Sequence, residues 1–126
     1  MHISDISPYE RELLSRLRFC PASFLGEKSL RNFRHMSGGY QFAMQTAGLR
    51  KQHNLLPDGL NGFTADYLRI DAGTRDCFTM ITQAQPDDRK ALDLFFEILD
   101  AYLEAGGLKP LARIRDGEEF QSLWKE

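Results

Sequence analysis

The chain contains no valine, and nowhere along it do apolar and polar residues alternate over the length of a strand. β-branched residues suit a pleated, half-buried surface, so a sheet has little to be built from. Helical spacing, by contrast, recurs. Between Ala91 and Leu103, Leu92, Phe95, Phe96, Leu99 and Leu103 return every three or four residues. On a 3.6-residue turn this stacks them along one face. The pattern predicts an all-α fold of five to six helices, in a single domain over residues 1–126.

Local signals mark where those helices start and stop. Ser7-Pro8-Tyr9-Glu10 reads as an N-terminus, with Ser7 capping free N–H groups and Pro8 where its missing N–H costs nothing. Leu13, Leu14 and Leu17 follow on one face, with Arg11, Glu12, Arg16 and Arg18 expected in water. Pro21 is expected to end this helix near Phe19, and Phe24-Leu25-Gly26 to form a short apolar loop. Ser29 opens a second helix through Leu30, Phe33, Met36, Tyr40, Ala43, Met44 and Ala47. That spacing crosses Gly38-Gly39 without a phase jump, which favours a continuous helix with a close helix crossing at the glycines. Pro57-Asp58-Gly59 is turn chemistry. A short helix is expected over Phe63–Ile70, another capped by Thr74, and the longest from Pro86-Asp87-Asp88 to about Ala105. Leu111, Ile114, Phe120, Leu123 and Trp124 look like a last segment packing on the body.

Composition matters mainly for what it excludes. Sixteen basic and eighteen acidic residues give a net charge of −2, which weighs against a protein that coats nucleic acid. Arg31, Arg34, Arg50 and Lys51, near Phe33 and Tyr40, form no concentrated basic stripe. No stretch approaches the roughly 18 apolar residues of a membrane helix. The first residues lack the charged and apolar regions of a secretory leader, so the expected location is the cytoplasm. No Glu-x-x-His pair, phosphate-binding glycine loop or metal-type cysteine spacing occurs, and no metal or cofactor is expected. Cys20 and Cys77 read as small apolar core residues.

Charge is unevenly placed. Residues 1–60 sum to +3 and residues 61–126 to −5. Asp93, Glu97, Asp100 and Glu104 recur at four, three and four residues, so they share one face of the longest helix. No Lys or Arg lies between Ala91 and Leu108 to offset them. One reading is a solvated face, or pairing with Arg16, Arg31 or Arg34. The other is a docking surface for a cationic partner. A rival site, for a small ligand or an enzymatic reaction, would gather Cys20, His35, Gly38, Gly39 and Tyr40. A third possibility is a homodimer through apolar residues of the C-terminal segment.

Two segments add a resemblance. Pro21-x-x-Phe24-Leu25-Gly26-x-x-Ser29-Leu30 with Gly39-Tyr40, and Ala91-Leu92-Asp93-Leu94-Phe95-Phe96-Glu97-Ile98-Leu99-Asp100, together resemble a family of small bacterial helical proteins. Gly62-Phe63 and Tyr67 fit the same pattern. Two positions depart from it: Cys20 replaces an Arg before the first Pro, and Phe78 a Trp. The likeness spans residues 9–104 and implies an immunity-type role, the blocking of a toxin. The combined expectation is a non-enzymatic protein-binding domain. Its acidic face would meet a basic toxin or nuclease.

Overall fold

The computed structural model describes residues 5–111. Among them the chain is all helical, with α1 Pro8–Phe19, α2 Pro21–Leu25, α3 Leu30–Thr46, α4 Leu60–Leu68, α5 Cys77–Ala84 and α6 Asp88–Ala105. Four helices start where a short polar side chain accepts a hydrogen bond from the backbone three residues on: Ser7, Ser29, Asp76 and Asp87. Each satisfies an N–H that its helix cannot. The last helical segment expected from Ile114, Phe120, Leu123 and Trp124 lies outside the described residues.

α6 is the centre of the assembly, packing against α3, α4 and α5. Eight of its residues are buried, Ala91, Leu92, Phe95, Phe96, Ile98, Leu99, Tyr102 and Leu103, so its apolar face is wider than a single stripe. Phe33 of α3 packs on the Phe95 ring at 4.9 Å, and Phe78 of α5 stacks on Phe95 at 5.7 Å with the planes 7° apart. These contacts join three helices at one point. Burial of each ring is worth about 1.5–3 kcal/mol and each aromatic pairing about 0.5–1.5 kcal/mol more, so desolvation dominates and ring geometry refines it.

Several local expectations are corrected. Pro21 does not lead into a loop: it takes the first position of α2, which ends at Gly26 with φ 84°. A proline that stops one helix is equally suited to start the next. α4 begins at Leu60, not Phe63: Gly59 takes the cap position, so the loop expected over Asn54–Gly62 stops three residues sooner. Asp76 caps α5 in place of Thr74. Glu12 is buried rather than solvated. Around it the polar side of α1 is tied down, with Arg11 donating to the Lys109 carbonyl at 2.5 Å and Arg18 to Asp100 at 2.5 Å. Burial pushes the Glu12 carboxyl up, against the lowering effect of Arg16.

α3 runs unbroken through Gly38 and Gly39. No close crossing exists there: a Cβ built at either glycine meets nothing within 4 Å. The uninterrupted apolar spacing marks continuity of the helix, and contact is a separate matter. Only Leu30, Phe33 and Ser37 of α3 are buried. Beyond Tyr40 the helix leaves the core, and Phe42 is 71% exposed.

Candidate functional site

The acidic face of α6 divides into two kinds of carboxylate. Asp100 is built in: it accepts from Arg18 at 2.5 Å and from the Leu111 backbone N–H at 2.7 Å, with only 15% of its side chain exposed. Asp93 is 65% exposed and meets Lys28 at 2.7 Å. Glu97 is exposed and accepts from the Tyr67 hydroxyl at 2.6 Å. That bond, with smaller contributions from burial and the Glu97 charge, raises the Tyr67 pKa. Glu104 is exposed in the last turn. The pairing cations are therefore Arg18 and Lys28, not Arg16, Arg31 or Arg34; Arg16 pairs with Glu12 and Arg34 with Asp76. Sequence spacing places all of these acids on one face, but it carries no information on which neighbouring helix brings a cation to them.

Of the five residues expected around a pocket, Gly38 alone lines the cleft beside α3. Cys20 is exposed at the α1–α2 junction, and His35 and Gly39 are exposed on α3. Tyr40 turns instead to α1, donating to the Glu10 carboxylate. Burial, then that bond, raise the pKa of its hydroxyl. Glu10 is fully buried and also takes the Ser7 hydroxyl and His53 Nδ1, the latter at 3.2 Å. Three partners surround one buried carboxyl group, which ties α3 at Tyr40 and the turn after that helix to the first turn of α1. Nothing in the sequence spacing links positions 10, 40 and 53.

The cleft has a volume of about 420 Å³. Arg34, Ser37, Gly38 and Gln41 of α3 form one wall, and Arg50, Asn54 and the segment 55–58 face them. Leu60, Asn61, Cys77 and Phe78 close it from α4 and α5. Arg34 is held on Asp76 at 3.0 Å and lies over the Phe78 ring at 5.8 Å. Cys77 is buried, and burial, then the Asp76 charge, push its thiol up to about 12, which keeps it in the unreactive thiol form. Cys20, by contrast, is exposed, so the expectation of a core residue there is corrected. It sits at the cap between two helices, where the chain turns outward.

Among the described residues no group of three or more His, Cys, Asp or Glu is placed to hold a metal ion, and no helix is long and apolar enough to cross a membrane. Comparison with family models, curated proteins and solved structures finds no match.

Proposed function

We propose that the protein is a non-enzymatic binding domain that blocks a basic partner protein, such as a nuclease toxin, through the outer face of α6. The observation that carries this reading is the set Asp93, Glu97 and Glu104, three exposed carboxylates along about 16 Å of one rigid helix. The helix itself supplies no cation between Ala91 and Leu108. The Lys28–Asp93 contact is a surface pair, worth about 0–1 kcal/mol, so a partner's Arg or Lys replaces it at little cost. Tyr67, hydrogen-bonded to Glu97 and 39% exposed, sets an aromatic side chain at the rim, of the kind interfaces favour. A surface that normally grips phosphate is complementary to such a face, and complementary charge speeds encounter.

The test compares two variants in pull-downs at low and moderate salt and in titrations with the partner so found. Reversal of Asp93, Glu97 and Glu104 to Lys weakens binding by an order of magnitude or more and leaves the melting temperature near that of the parent. Asp100→Asn, which loses the anchor to Arg18 and Leu111, lowers the melting temperature and leaves affinity for the partner intact at a temperature where both are folded. A partner retained equally by parent and triple variant, at both salts, refutes the proposal.

A further inference from the structure

The cleft beside α3 holds two opposite charges that do not meet. Arg50 and Asp58 both line it, yet neither makes an ion pair among the described residues; Asp58 has only the Asn54 amide, at 3.3 Å. The other two charges of the cleft, Arg34 and Asp76, satisfy each other at 3.0 Å. The lining therefore offers one cation and one anion to a visitor, and no net charge. The apolar lining that stays accessible is half-buried Leu56 and a small part of Phe78, which is 7% exposed, while Leu55 and Leu60 are buried.

Gly38 points to the same conclusion from the backbone. Glycine weakens a helix interior, and packing gives no reason for one here, since a Cβ at Gly38 would meet nothing within 4 Å. What the missing Cβ does is leave the α3 backbone bare along the cleft wall, where a ligand can approach closely. The volume, about 420 Å³, lies toward the small end of the range of about 300–1,000 Å³ for small-molecule sites.

We infer that this cleft binds a small zwitterion with an apolar body, of the size and chemistry of a free apolar amino acid. Its carboxylate faces Arg50, its ammonium faces Asp58, and its side chain lies on Leu56 and Phe78 against the bare turn at Gly38. The site is separate from the α6 face and stands whether or not that face docks a partner.

The experiment is a titration of isotope-labelled protein with L-phenylalanine and L-leucine, read by amide shifts around Gly38 and Asn61. Two analogues each lack one charge: phenethylamine the carboxylate, 3-phenylpropanoate the ammonium. Each is expected to bind about tenfold or more weakly than L-phenylalanine, the usual scale for losing one charged hydrogen-bonding partner. Arg50→Gln weakens L-phenylalanine about as much but leaves phenethylamine unaffected, and Asp58→Asn does the same with respect to 3-phenylpropanoate. Gly38→Leu, for which the fold has room, abolishes the shifts, while Gly39→Leu preserves them. The inference is overturned by the absence of localised shifts with both amino acids up to their solubility, by equal binding of the single-charge analogues, or by binding that survives Gly38→Leu.

Discussion

Replacing Gly38 and Gly39 by alanine tests the most unusual element of the fold. Both sit inside α3 with helical hydrogen bonding on either side, and both are exposed. Nothing lies within 4 Å of a Cβ at either position, so no clash offsets the gain in helix propensity. Each substitution stabilises by about 0.8–1.0 kcal/mol, and the pair by roughly 2 kcal/mol, partly by restricting the unfolded chain. With an unfolding entropy of about 2.1 cal/mol/K per residue, a chain of this length has a slope of about 0.26 kcal/mol/K, so the double variant melts roughly 8 °C higher.

Circular dichroism melts and urea titrations of parent, single and double variants supply the measurement. Gly59→Ala is a useful contrast of opposite sign. Its Cβ would touch the Tyr102 hydroxyl at 3.4 Å, and the residue takes the cap position of α4, where glycine is far better tolerated than alanine. A double variant no more stable than the parent would refute the reasoning. It would mean that α3 is not continuous through this pair, or that something packs on the glycines.

Two further outcomes follow from named groups. With a thiol reagent at pH 8, Cys20 modifies at once and Cys77 only on unfolding; since burial lifts the Cys77 thiol to about 12, the unfolded thiol ionises first. Stability is then full below the unfolded pKa of about 8.5 and falls as pH rises toward the folded one, by up to about 1.4 kcal/mol per pH unit, a slope missing from Cys77→Ala. Asp88 lies at the other end of the scale: burial raises its carboxyl, but hydrogen bonds from Ser29 and the Arg31 N–H, with the Arg31 charge, outweigh it and hold the pKa below the ordinary value. Its stabilisation is present above the unfolded pKa of about 3.9 and is lost as pH falls through the folded one; acid titrations of parent and Asp88→Asn should converge there, and equal stability of the two at pH 7 would refute this.

How far the sequence discloses the structure depends on the range of the interactions concerned. The helices were legible because their causes are local. Ser7, Ser29 and Asp87 cap within three residues, and the α6 periodicity fits inside the helix itself. The start of α2 was missed because Pro21 carries both a stop and a start signal, and choosing between them depends on where Cys20 and Gly26 turn the chain. The α6 acids were placed on one face by spacing alone, whereas their partners Lys28 and Arg18 stand 65 and 82 residues away. The cleft was the least legible feature. Gly38 stood out, but Arg50 and Asp58 become its neighbours only when the turn after α3 folds back and α4 begins at Leu60.

The carboxylates of α6 sort by what they accept from, and this decides which of them a partner can recruit. Asp88 takes the Arg31 N–H at the start of α3, and Asp100 the Leu111 N–H after α6. The Leu111 N–H, and the hydroxyl of buried Ser29 that also donates to Asp88, are withdrawn from water, and leaving such a donor unpaired costs about 1–3 kcal/mol. Those two acids are thereby committed to joining elements of the fold. Among the described residues Asp93 and Glu97 accept only from the ends of side chains, Lys28 and Tyr67, which return to water when displaced. One helix thus carries an anchoring pair and an available set, although Asp93, Glu97 and Asp100 are written in the sequence as the same residue types at the same spacing. Charge alone names the face, and the partner atoms decide which of its carboxylates are free to leave the fold for another protein.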